Sequence, residues 1–222
     1  MLGRGDEVQV QRTPLRDVDV PLTAHEALRW AWPAARERDP AARLVLITSE
    51  EDLDTAGRSR LWEFQVDLPN RRAQATLRVG MDDDPDDEDS GVALVEIVRP
   101  FVPPGDLWDI MAQGEDAVRR HVLTHWQRQL AGRLPLPLPG YDSPHAVAAL
   151  RAQGVTLGLG CYLGARVQVD GSAVWYLHAG DEVRTTPFAP AALPAGPPAA
   201  LEPPSAGRAG SLPPANLDDD LH

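Results

Sequence analysis

Between residues 61 and 79 the chain alternates apolar and polar side chains twice in succession. Trp62, Phe64, Val66 and Leu68 fall on one side of a period-2 ribbon, with Glu63, Gln65 and Asp67 on the other. After Pro69, Asn70, Arg71 and Arg72 the alternation resumes, with Ala73, Ala75, Leu77 and Val79 set against Gln74, Thr76 and Arg78. Successive strand side chains point to opposite faces, so this pattern predicts a hairpin with one dry face and one wet face.

The flanking segments extend the picture. Residues 7–11 alternate valine with polar residues and predict a short edge strand. Thr23 followed by Glu26 is a capping-box signature, in which each side chain satisfies a free amide of the other's turn, and it predicts a helix over residues 24–38. Pro33 inside that helix lacks an amide and clashes with the preceding turn, so a kink or a restart is expected there. The compact apolar run 44–48 predicts a buried strand, 50–60 a polar connection carrying Gly57, and 92–98 a further strand. Short connections favour neighbouring strands, which gives an antiparallel meander packed on the helix. Asp106 is placed as the cap of a second helix running to about Leu130, with Leu107, Met111, Gly114, Val118, His121 and His125 on one stripe.

Residues 134–140 alternate leucine with proline and are expected to form an extended linker. Beyond it, 144–152 predict a short helix and 155–163 a strand, with Val155, Leu157, Leu159, Cys161 and Leu163 on one face. Gly158 and Gly160 on the other face would let a neighbouring element approach closely. Asp170-Gly171 is a two-residue turn signal between strands at 166–169 and 173–178. From Thr185 the pattern dissolves, and the proline-, alanine- and glycine-rich residues 189–222 are expected to be disordered. The fold class expected is therefore α+β. A sheet-and-helix domain (1–133), a linker (134–143), a smaller similar α+β unit (144–188) and an acidic tail (189–222) make up the chain.

Composition narrows the function classes. The 33 acidic residues against 21 basic ones give a formal charge of -12, a field that repels phosphate backbones and argues against a nucleic-acid ligand. Every basic residue is arginine, so Schiff-base chemistry and a phosphate-gripping lysine are excluded. Cys161 is the only cysteine, so no intramolecular disulfide forms, and its apolar flanks read as a small buried hydrophobe. The first residues lack an apolar leader core and no window spans a bilayer, which predicts a cytoplasmic protein without membrane contact. The Arg4-Gly5-Asp6 triplet is read as chance.

Ser59-Arg60-Leu61-Trp62-Glu63-Phe64 finds an echo in Ser172-Ala173-Val174-Trp175-Tyr176-Leu177, each downstream of a histidine-bearing helix, at His25 and His145. A helix, a strand, a polar turn and then the Trp62-Glu63-Phe64-Gln65-Val66 strand running into another resembles the PepSY domains and, more loosely, the cystatin-like fold. The resemblance covers about residues 24–98, with a further copy at 144–187. It implies a binding or inhibitory module and carries no catalytic residues across. The chain departs from both families, lacking the leader or membrane helix usual before PepSY domains and the glycine-containing inhibitory loop of cystatins.

Candidate chemistry is sparse. The run Asp82, Asp83, Asp84, Asp86, Asp87, Glu88, Asp89 lacks the glycine and the final acid of an EF-hand loop, so a solvated hairpin loop is expected. His121 and His125 at i and i+4 can face one point, as zinc ligands on a helix do, but no glutamate stands beside the first histidine. Gly158, Gly160 and Gly164 spell a dinucleotide-like pattern without the following helix that a pyrophosphate requires. Asp218, Asp219, Asp220 and Leu221 close a long proline-rich tether and form the candidate partner-binding segment. The function expected is non-enzymatic protein binding, through the wet sheet face or this terminus, with no cofactor and no metal. Its partner is expected to present a basic or edge-strand surface. The alternative is a metal-dependent hydrolase built on His121 and His125 with nearby carboxylates.

Overall fold

The computed structural model describes residues 8–49, 53–82, 91–102, 110–158 and 160–188. The acidic run 83–89, Asp106 and the whole segment 189–222 lie outside them; the second helix, expected to run unbroken from Asp106, begins at Glu115 with Gly114 at its N-cap (φ 98°). Eight antiparallel strands form one sheet: β1 (Gln9–Pro14), β2 (Arg43–Ser49), β3 (Leu61–Leu68), β4 (Ala73–Asp82), β5 (Gly91–Pro100), β6 (Tyr162–Val167), β7 (Ala173–Ala179) and β8 (Glu182–Pro187), in the spatial order β1-β5-β4-β3-β2-β6-β7-β8. Among the described residues three α-helices accompany it: α1 (Ala24–Arg38), α2 (Glu115–Gly132) and α3 (Ser143–Ala152). The protein is thus α+β, with the expected meander β2 to β5 intact.

The hairpin forms in the register its alternation dictates, with Trp62 opposite Val79, Phe64 opposite Leu77 and Val66 opposite Ala75. Trp62, Phe64, Leu77 and Val79 are fully buried against Ala27, Leu28, Ala31 and Ala35 of α1 within one hydrophobic cluster. The alanines let the helix lie close to the large strand side chains. Trp62 spends its one polar group well, since its indole nitrogen donates to the Leu22 carbonyl at 2.9 Å.

The capping box at the start of α1 closes in both directions: Thr23 Oγ1 accepts from the Glu26 amide at 3.2 Å and Glu26 Oε2 from the Thr23 amide at 2.8 Å. Arg29, whose carbonyl would otherwise accept from residue 33, is exposed. Of the kink or restart expected at Pro33, the restart does not occur, and α1 continues as one helix to Arg38. Its far end is anchored twice. Arg38 Nε donates to Glu96 Oε2 of β5 at 3.0 Å, and buried Asp39 accepts from both the Asn70 amide and side chain at 2.7 Å.

The second half repeats the first and joins it. β2 pairs with β6, so the meander β2-β3-β4 runs outward on one side and β6-β7-β8 on the other. The helices that precede them meet at their N-termini, where Ser143 Oγ accepts from the Ala24 amide at 3.0 Å and Asp142 Oδ1 from the His25 amide at 2.9 Å. One row of core side chains crosses the join: Leu77, Phe64, Ile47, Ala165, Trp175. Register therefore sets Trp175 in the place of Phe64, whereas the sequence echo aligned it with Trp62. Residues 134–140 lie along this join, with the Leu136 amide on the Leu44 carbonyl at 2.7 Å and its side chain in the core.

Four local expectations are corrected. The described residues of 155–161 form no strand in spite of their alternation; β6 begins only at Tyr162. Val155 and Leu157 pack on the core from irregular chain, so the apolar periodicity recorded burial without pairing. Asp170-Gly171 is the tip of a longer loop, in which Gln168 N donates to Ser172 O at 2.8 Å and Asp170 Oδ1 takes the Ser172 amide and hydroxyl. The close approach expected at Gly158 and Gly160, where nothing described lies within 4 Å, occurs at Gly164. A Cβ there would stand 2.3 Å from the Tyr176 ring. Finally, β8 continues past Thr185 to Pro187, and Phe188 packs on Trp175 with ring centroids 5.2 Å apart.

Two outcomes follow from this packing. Trp62→Ala is expected to destabilise by about 3–5 kcal/mol in urea unfolding, through lost burial and the cavity left; an unchanged midpoint would show that the site collapses freely. Gly164→Ala is expected to cost about 1–3 kcal/mol by overpacking, and much less in a Tyr176→Ala background. Equal costs in both backgrounds would mean that the ring is not what the new methyl meets.

Candidate functional site

The sheet has one face under α1 and α3 and a second, outer face whose composition the fold selects. Alternation places Glu63, Gln65 and Asp67 of β3 there, beside Gln74, Thr76 and Arg78 of β4 and Arg99 of β5. The register extends these rows to Arg12 of β1 opposite Val95, Arg43 of β2 opposite Asp67, and Arg166 of β6 opposite Leu46. In these central rows five arginines stand against two carboxylates, Glu63 and Asp67. A chain with a formal charge of -12 thus presents a cationic face.

α2 supplies a sixth arginine. Its C-terminal end is held by Arg43, whose Nη2 donates to the Arg133 carbonyl at 2.6 Å and Nη1 to the Leu130 carbonyl at 3.4 Å, a cation placed where helix carbonyls lack partners. This turns the Arg133 side chain back over the sheet, where Nη1 lies 3.4 Å from Oδ1 of the fully buried Asp67. Gln74 Nε2 donates to the same oxygen at 3.1 Å. Trp126 of α2, tilted against Phe101 with ring centroids 5.0 Å apart, is the helix's buried anchor.

Between the end of α2 and the β6–β7 loop the outer face is cut by a groove of about 630 Å³. Its floor is Val45, Leu46 and Gln65, and its sides carry Arg133 and Leu134 against Arg166 and Val167. The β-bulge between Leu44 and Leu46 adds Val45 to the floor. Leu134 and Val169 are exposed hydrophobics at the rim. Arg166 also lies over Tyr176, its guanidinium carbon 5.1 Å from the ring centroid, and Tyr162 stacks on His178 at 4.4 Å. Burial holds the Tyr176 hydroxyl above the ordinary phenol range, Tyr162 adds to the rise, and Arg166 opposes it. The groove therefore offers two guanidinium groups for carboxylates and an aliphatic floor for apolar side chains.

His121 and His125 do come together on α2, with ring centroids 4.3 Å apart and planes at 46°. His121 Nε2 is buried without a hydrogen-bond partner. Among the described residues no third His, Cys, Asp or Glu joins them to make a cation site. His125 titrates below the ordinary imidazole range, first through partial desolvation, then through the charge of His121 and of Arg128. Gly158, Gly160 and Gly164 lead into strand β6, so no helix N-terminus faces a phosphate there. Cys161 is buried and reduced. Asp218, Asp219, Asp220 and Leu221 fall outside the described residues, as do the acids at 83–89. No described helix is long and apolar enough to cross a membrane.

The groove itself was invisible to sequence reading, because its sides come from residues more than thirty positions apart that meet only across the β2–β6 join. The one available signal was the bulk of arginine on the wet side of the alternation, at Arg78, Arg99 and Arg166. No family model, curated protein or solved structure matches the chain.

The paired imidazoles set a titration outcome. A histidine whose folded value is depressed contributes stability above the unfolded value, about 6.5, that is lost as the pH falls through the folded one. In NMR titration the His125 ring is expected to protonate at lower pH than a histidine in an unstructured peptide, and His121→Ala to restore part of the difference. A midpoint unmoved by that substitution would remove His121 as a cause.

Proposed function

We propose that this protein is a non-enzymatic binding module that holds an acidic, leucine-bearing polypeptide segment on the outer face of its sheet. The observation that carries the reading is the groove between Arg133 and Arg166, whose aliphatic floor and paired guanidinium groups suit alternating carboxylates and apolar side chains. Arginine forks bind carboxylates in two parallel hydrogen bonds, which fixes orientation, and the apolar floor contributes burial that a purely ionic contact lacks. Among the described residues the two-imidazole pair on α2 leaves the hydrolase alternative one protein ligand short of the three that a catalytic zinc site uses. Kinship with PepSY-like or cystatin-like modules is consistent with this role, since each half is a helix packed on a meander.

The test uses the full chain immobilised in extract of its native cell, alongside Arg166→Glu and, as a control on the exposed side of α2, Arg119→Glu. A bound protein identified by mass spectrometry is expected to be lost at least tenfold with Arg166→Glu, to be retained with Arg119→Glu, and to weaken from 50 to 300 mM salt. Binding of a single-stranded oligonucleotide abolished by the same Arg166 change would assign the face to nucleic acid instead. Turnover in a hydrolase screen that disappears with His121→Ala or His125→Ala would replace the binding reading with the enzyme one.

A further inference from the structure

The chain carries its own candidate for the groove. Residues 217–221 read Leu217-Asp218-Asp219-Asp220-Leu221, three carboxylates between two leucines. That is the composition the groove complements: guanidinium groups on its two sides, Val45 and Leu46 beneath, and Leu134 at the rim. The last described residue also lies close by. The Phe188 amide donates to the Ala173 carbonyl at 3.1 Å, and Ala173 pairs with Val167, which lines the groove. From β8 to β6 is two strand spacings, about 10 Å. The intervening residues 189–216 are rich in proline, alanine and glycine, and a segment of that length has a contour of roughly 90 Å, long enough to reach the groove.

We propose that residues 217–221 dock in the Arg133–Arg166 groove of their own chain and withhold it from other acidic segments. This rests on the reading of the groove as a peptide site given above, and it adds a regulator that the molecule supplies itself. A tether of this length gives the segment an effective concentration on the order of a millimolar. A peptide that binds with a Kd of only about 0.1 mM when free would then hold the groove closed about nine-tenths of the time. An incoming partner must bind correspondingly more tightly, by about tenfold, to open it. Because the contact is ionic and solvent-exposed, salt loosens it within the physiological range.

The docking is read on the full chain with a nitroxide placed by Asn216→Cys, Cys161 being buried and out of reach of the label. In 50 mM salt the amide signals of Leu134, Arg166, Gln168 and Val169 are expected to lose more than half their intensity, while Val10 on the far edge strand keeps its own. The combined change Asp218→Asn, Asp219→Asn, Asp220→Asn lies outside the folded sheet and is expected to restore the lost signals, as is 300 mM salt. Broadening that is absent, spread evenly over the molecule, or unaffected by the three substitutions overturns the proposal. So does broadening seen only between a spin-labelled chain and a separate isotope-labelled one, which would place the segment in a second copy.

The same triple variant separates this inference from the function it rests on. It is expected to retain about tenfold more of the Arg166-dependent partner than the unmodified chain. If the segment docks but nothing else binds the groove in the triple variant, the regulator stands and the partner-binding function falls. If a partner depends on Arg166 while the labelled segment leaves the groove signals untouched, the function stands and this inference falls.

Discussion

The pairing of β2 with β6 is the contact on which the rest of the arrangement depends. It is short, joining Leu46, Ile47 and Thr48 to Arg166, Ala165 and Gly164, with the Leu163 amide adding a bond to Ser49 Oγ at 3.0 Å. Without it β2 and β6 would each expose a row of unpaired amides and carbonyls along an apolar strand, the arrangement most prone to aberrant pairing. With it, the two helix-and-meander halves share one sheet and one continuous core. The small residues on β6 are what permit this. Ala165 leaves room for Ile47 and Trp175 on the inner face, and Gly164 lets the Tyr176 ring lie flat on the outer one.

That join also creates the surface with chemistry. Arg166 and the β6–β7 loop reach the edge of the groove only because β6 lies against β2, and Arg133 faces them because Arg43 of β2 holds the end of α2. Asp67 completes the positioning. It is buried with one oxygen 3.4 Å from the Arg133 guanidinium, and Gln74 donates a hydrogen bond to that same oxygen. Local electrostatics here has the opposite sign to the chain as a whole, since net charge averages over every surface and a contact senses the charges within about one Debye length. The charges nearest the groove are arginines.

A cationic groove in an acidic chain also bears on specificity. A polyanion without apolar side chains meets the long-range repulsion of the whole molecule and leaves Val45, Leu46 and Leu134 uncovered, whereas a peptide that combines carboxylates with leucines satisfies both sets of groups. The chain's own 217–221 segment has that combination.

By itself the sequence determined whatever is governed by contacts a few residues apart. The hairpin from Leu61 to Val79, the capping box of Thr23 and Glu26, the burial of Trp62 and Cys161 and the α+β class follow from periodicity and local hydrogen bonding, and each is present. One locally reasoned element was misread. The described residues of the alternating 155–161 segment pack on the core without a strand partner, an outcome set by surroundings that periodicity does not record. What only the tertiary structure decided was which half meets which: the β2–β6 register, Phe64 rather than Trp62 as the counterpart of Trp175, Gly164 as the point of close approach, and the groove between Arg133 and Arg166. The first two depend on pairing between segments more than a hundred residues apart and the last on that same join, while the Gly164 contact depends on the β6–β7 register; a single sequence carries no periodic signal for any of them.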